Sequence, residues 1–289
     1  MAAVTRLAGA VPFAKTRSGQ TAGPEIQSQI VDAVSVYLGG NHDLARLRQL
    51  AEAHSDDVRE TILRYQVLVA GRRDELGELT LKLGYVQQWC REVRSANLAR
   101  RRRAFAYLAA VAHHGPVRRV LGAIPANAFA DSDEQVRVHA ARILLSSGEL
   151  PVISRVFEVI LVDTPSVRLL VAADLRQHAI ALCKEAIPKA LESSNLREVL
   201  RVLVSWECAL YLPDMRTLVQ HSDPEVRVDC MRLLPFLPST PENRAALLAG
   251  LADQHPDVAA AAAATGRTIL PNTAPIASLT ADPLEVVHG

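Results

Sequence analysis

Residues Ser222-Asp-Pro-Glu-Val-Arg-Val228 decide the fold. Asp223 has the short acidic side chain that accepts hydrogen bonds from the first free amides of a helix. Pro224 suits the first helical position, where a missing N–H costs nothing. Val226, Cys230 and Leu234 then recur four residues apart, which places them on one helix face. The same phrase returns as Ser55-Asp-Asp-Val58-Arg59, Asp133-Glu-Gln-Val136-Arg137 and Thr164-Pro-Ser-Val167-Arg168. A weaker copy is Ser193-Ser-Asn-Leu196-Arg197, and His255-Pro-Asp-Val258-Ala259 has lost the arginine. The anchors Val136, Val167, Leu196, Val226 and Val258 are separated by 31, 29, 30 and 32 residues, a period that points to stacked repeats.

Ser55, Asp133, Thr164, Ser193 and Asp223 are the expected helix caps, and Pro165, Pro224 and Pro256 the expected first helical residues. Apolar stripes follow at Val136/Ala140/Leu144, Val167/Val171/Leu175 and Leu196/Leu200/Val204. A shorter apolar helix precedes each phrase, around Val152–Ile160, Met215–Val219 and Ala245–Leu251. No sustained period-two run is present, so strands are not expected. The fold expected is all-α: an α-solenoid of about seven helix pairs over 24–270, after a flexible leader at 1–23 and before an irregular tail at 271–289. Pro24 opens an amphipathic run through Ile26, Ile30, Val34 and Leu38 that Gly39-Gly40 ends.

Composition agrees. Of 289 residues, 49% are hydrophobic but only 4% aromatic, which suits closely packed helices rich in Ala, Leu and Val. The net charge of +1 excludes a uniformly basic polyanion binder and leaves only an uneven charge distribution as a source of electrostatic function. Cys90, Cys183, Cys208 and Cys230 lie far apart in apolar stretches and read as small buried hydrophobes in a reducing compartment. No stretch approaches the ~20 apolar residues of a membrane span, and the N-terminus lacks a secretory pattern, so a cytoplasmic protein is expected.

The phrase resembles the HEAT-repeat family, including the short bacterial HEAT-like repeats of the phycobilin-lyase type. Ser222–Val228 and Asp131–Ala141 carry the resemblance best, and it weakens over 71–115, where a stretched copy has room for a cap at Ser95. The resemblance implies a right-handed superhelix whose second helices line the concave side. It also implies a structural role for Arg59, Arg137, Arg168, Arg197 and Arg227, each pairing with a carboxylate in its own or the adjacent turn. It supplies no single activity, since such arrays serve as scaffolds, adaptors, bilin lyases and DNA-repair glycosylases.

Chemistry-bearing motifs are absent from the sequence: no Gly-rich phosphate loop, no His-Glu-x-x-His, no nucleophile elbow and no Cys/His metal spacing. No catalytic, cofactor or metal residue is nominated, and no cofactor is expected. One segment departs from the background. Arg91, Arg94, Arg100, Arg101, Arg102, Arg103, Arg118 and Arg119 stand against a single acid, Glu92, within 91–119. Arginine suits bidentate contact with carboxylate or phosphate. Two readings follow: a solvated helix whose arginines pair with acids elsewhere, or a binding patch for an acidic protein or polyanion. The expected function is a non-enzymatic protein-binding scaffold. The alternative is a nucleic-acid-binding HEAT-like protein, a DNA-repair glycosylase included, that holds phosphates on this patch.

Overall fold

The computed structural model describes residues 23–185, Lys189, 195–209 and 215–269. The expected tail, the expected leader other than Gly23, and the expected cap Ser193 lie outside the described residues. Among those described, the chain is all-α, with no strand. It divides into two compact units, Met1–Gly148 and Glu149–Gly289.

The first unit holds α1 (Pro24–Leu38), α2 (Ala45–Ala53), α3 (Ser55–Leu68), α4 (Arg73–Lys82), α5 (Tyr85–Glu92), α6 (Leu98–Val111), α7 (Gly115–Leu121), α8 (Ile124–Asn127) and α9 (Glu134–Leu145). Helices α1, α3, α6 and α9 pack successively as a row, while α2, α5 and α8 each pack on the row helix that follows them. The second unit holds α10 (Leu150–Leu161), α11 (Pro165–Leu175), α12 (Ala179–Glu185), α13 (Leu196–Trp206), α14 (Met215–Val219), α15 (Pro224–Leu233), α16 (Pro241–Leu251) and α17 (Pro256–Ile269). Here α11, α13, α15 and α17 form the row, backed by α10, α14 and α16.

The local signals explain the starts of the row helices. Asp133 accepts from the Val136 amide, Thr164 from the Val167 amide and Asp223 from the Glu225 amide. Pro165, Pro224 and Pro256 open their helices, and Val58, Val136, Val167, Val226 and Val258 are all buried. Two expectations need correction. The turn between α2 and α3 is the single residue His54, so Ser55 is already helical and caps nothing. In α13 the residue at the cap position is Asn195, and the buried face runs through Val199, Leu200, Leu203 and Trp206. Leu196 and Val204 are only half-buried.

Consecutive row helices are also tied near their C-terminal ends. Ser146 Oγ lies 3.0 Å from the Ala112 carbonyl and 2.6 Å from that of Ile143, between which its one proton is shared, while Trp206 Nε1 donates to Ala172 (2.7 Å) and Thr265 Oγ1 to Met231 (2.8 Å). Each partner lies 34 residues back, so three unlike side chains reach a carbonyl near a helix end one repeat earlier.

His139 on α9 gives this packing a pH signature. Its Nδ1 is sealed from solvent without a hydrogen-bond partner. Burial, then Arg142, outweighs Asp133 and lowers its pKa to about 4. The unfolded imidazole titrates near 6.5, so between these values only the unfolded chain takes the proton. Stability is therefore unaffected at pH 7 and falls as pH drops through that window. At pH 5 the wild type is expected to have lost about 1–2 kcal/mol relative to pH 7 through this group. Urea melts of wild type and His139→Leu at the two pH values check this; equal pH slopes would refute it.

Candidate partner-binding surface

The arginine-rich segment runs through the end of α5, the start of α6 and α7. Asn97, not Ser95, caps α6: its side chain accepts from the Arg100 amide at 3.1 Å, while Ser95 Oγ accepts from the Asn97 amide at 3.2 Å. Arg100 to Arg103 thus occupy the beginning of α6, which has no acidic residue in its first turn. Positive charge there opposes the helix dipole, so it must be compensated or left as a region that attracts anions.

Two of these arginines are compensated from within. Arg101 donates to the Ser95 carbonyl at 2.9 Å and pairs with Asp131, also at 2.9 Å. Arg102 grips Asp133 bidentately, with Nε 2.9 Å from Oδ1 and the second contact shorter still. Asp133 simultaneously caps α9, so one carboxylate joins the starts of two row helices. The Arg102 guanidinium holds the Asp133 carboxyl below the usual carboxylate range, against the opposing effect of burial. Arg118 is likewise internal: it donates to the carbonyls of Ala112 (3.1 Å), His113 (2.5 Å) and Ser146 (3.2 Å).

The remaining five differ. Arg91, Arg94, Arg100 and Arg119 are exposed and Arg103 is half-buried. None of the five makes a side-chain hydrogen bond or ion pair among the described residues. Arg94 stands at the lip of a cleft of about 360 Å³ with Val93, Phe105, Ile124 and Ala128 among its walls and Asn127 and Asp131 at its polar edge. Because Arg101 neutralises Asp131, the uncompensated charge at this cleft is the Arg94 guanidinium.

Two of the repeat arginines, Arg137 and Arg227, share a geometry. Arg137 donates to the Asp131 carbonyl (2.8 Å) and Arg227 to the His221 carbonyl (2.8 Å), each six residues back in its own turn, as Arg101 does to Ser95. Arg168 holds the Leu161 and Asp163 carbonyls and pairs with Glu198. Arg227 pairs bidentately with Asp253 at 2.8 and 3.0 Å. Arg197 meets Glu225 at 3.0 Å, and Arg59 meets Asp56 at 2.6 Å while lying over the Tyr107 ring. Arg101–Asp131, Arg102–Asp133 and Arg168–Glu198 bridge 30, 31 and 30 residues, so each joins one repeat to the next. The sequence reading missed that Arg101 stands where the other copies carry their repeat arginine. The signal was available: Asp131 lies one period downstream.

Among the described residues no group of three His, Cys, Asp or Glu side chains is placed to hold a metal ion. No helix among them is long and apolar enough to cross a membrane. No family model matches the chain, and no curated protein matches it. The solved structures similar to it include two engineered proteins. One is 19% identical with a TM-score of 0.38, covering 84% of this chain and 72% of its own. The other is 15% identical with a TM-score of 0.28, covering 86% of this chain and 96% of its own.

Proposed function

We propose that the chain is a non-enzymatic scaffold of HEAT-like helix pairs, and that its first unit holds an acidic segment of a protein partner on Arg91, Arg94, Arg100 and Arg103. One observation carries the reading. Of eight arginines between 91 and 119, Arg101, Arg102 and Arg118 are consumed internally, while five are left without a partner among the described residues, and one of these, Arg94, lines a cleft with apolar walls. Of the five, Arg100 and Arg103 stand near the start of α6, where uncompensated guanidinium groups oppose the helix dipole and are favourable to cover with carboxylates. The apolar walls give a partner's aliphatic or aromatic side chain somewhere to lodge, which a phosphate backbone would not use. A duplex needs several spaced phosphate contacts, yet the row arginines of the second unit, Arg168, Arg197, Arg201 and Arg227, are engaged with acids.

The test divides the arginines by their engagement. Arg91, Arg94, Arg100 and Arg103 changed together to glutamine should leave the melting temperature within about 2 °C. Affinity for a labelled glutamate-rich peptide bearing one leucine should fall at least tenfold, with a flatter salt dependence. Arg101→Gln with Arg102→Gln should do the reverse, lowering the melting temperature because Asp131 and Asp133 lose their partners. Unchanged peptide affinity in the first variant, or tighter binding of a DNA duplex than of peptide at physiological salt, would overturn the proposal.

A further inference from the structure

Cys183 and Cys208 lie 25 residues apart in sequence, and their sulfurs meet at 3.7 Å. Cys183 is buried on α12, whereas Cys208 is half-exposed just beyond the end of α13. The approach is built by the backbone. Glu207 adopts a left-handed conformation at φ 53°, the only described non-glycine residue with positive φ. That turn ends α13 and folds the chain back, so that the Cys208 amide donates to the Leu203 carbonyl at 3.1 Å. A left-handed glutamate is a costly way to end a helix that glycine would end freely. Here it sets the Cys208 thiol on Cys183.

We propose that Cys183 and Cys208 form a reversible intrachain disulfide by exchange with a low-molecular-weight disulfide, so that α12 and the end of α13 are locked together under oxidising conditions. The sulfurs need to approach by roughly 1.7 Å to reach bonding distance. The two thiols have distinct parts. Burial, and then the neighbouring Cys208, push the Cys183 thiol up to about 12, which makes it a poor first nucleophile. Cys208 is the accessible one and attacks first: its thiolate bonds one sulfur of the small disulfide, whose S–S bond breaks to release one thiolate. Cys183 then loses its proton and attacks Cys208 Sγ, expelling the second thiolate. Two electrons and two protons pass from the cysteine pair to the small disulfide, which leaves as two thiols.

The experiment incubates the reduced full chain with excess oxidised glutathione, quenches it with acid, alkylates it under denaturing conditions and maps the peptides. Expected is one linked peptide pair, Cys183 with Cys208, with Cys90 and Cys230 alkylated. A thiol reductant should reverse the link, and the oxidised chain should melt several degrees above the reduced one. Cys208→Ala should take up no glutathione at Cys183, and Cys183→Ala should stop at a glutathione adduct on Cys208. All four cysteines alkylated, an adduct at Cys208 of the wild type that never closes, or a link through Cys90 or Cys230 would each overturn the proposal. The wild-type map decides even where replacement of buried Cys183 prevents folding.

Discussion

Val226→Asp is expected to unfold the second unit at temperatures where the wild type is intact, costing about 4 kcal/mol or more. Val226 is the aliphatic anchor of α15, almost fully buried, in the row between α13 and α17. A carboxylate there has no arginine of its own: Arg227 is held by Asp253 and the His221 carbonyl. Buried Asp229 already draws on Arg232 and Arg201 and is still raised above the ordinary carboxylate range, because burial outweighs both. A second carboxylate would therefore meet desolvation and like charge together. Arg137→Ala removes a hydrogen bond to the Asp131 carbonyl from a half-buried side chain and is expected to cost about 1–2 kcal/mol. Thermal or urea melts of the two variants check the ranking. Equal, mild losses would mean that the aliphatic position of the phrase is not the packing position.

The reach of the sequence is explained by which interactions are local. Cap, proline and anchor lie within four residues of one another, so Asp133, Thr164 and Asp223 announce their helices, and burial of Val136, Val167 and Val226 follows from a 3.6-residue period. Where the local signal weakens, the reading weakens with it. The copy at Leu196 keeps Leu200 buried as expected, but Leu196 and Val204 are half-buried and the rest of the buried face lies on Val199, Leu203 and Trp206. The stretch over 71–115 contains an added helix, α4, ahead of the α5–α6 pair, and its cap is Asn97, in a context of four arginines that hides the phrase. The arginine patch was least legible because its fate is tertiary. Whether Arg101 is a contact or a strut depends on Asp131, thirty residues on, and nothing within one helix says so. The period narrows the choice without making it: Arg168 meets Glu198 thirty residues on, whereas Arg103, with Asp133 at the same spacing, makes no such pair because Arg102 holds that carboxylate.

Gly77 lies outside the repeat phrase, and Gly77→Ala is expected to destabilise the first unit by about 2 kcal/mol, although alanine in a helix interior is normally preferred over glycine by about 1 kcal/mol. Gly77 is a buried residue inside α4, and α4 packs on α7. A Cβ at position 77 would stand 2.5 Å from His114 Cβ and 2.9 Å from its Cγ. His114 is the cap-position residue of α7, and its Cβ is one bond from the backbone, so no rotamer change moves it away. The start of α7 must shift instead, and with it Arg118, which clamps the carbonyls of Ala112, His113 and Ser146. Gly250 in α16 is the instructive comparison. A Cβ there would come even closer to a neighbour, 2.3 Å from Met231 Sδ, but a thioether on a flexible stem can swing aside. Ala262 Cβ at 3.1 Å then leaves a milder residual crowding. Gly250→Ala is therefore expected to cost less than Gly77→Ala, near zero once the helix preference of alanine is included. Chemical denaturation of the two variants beside the wild type tests the ranking. If Gly77→Ala proved neutral or stabilising, the close approach of α4 to α7 would be wrong, and with it the placement of His114 and Arg118 at the edge of the arginine-rich surface.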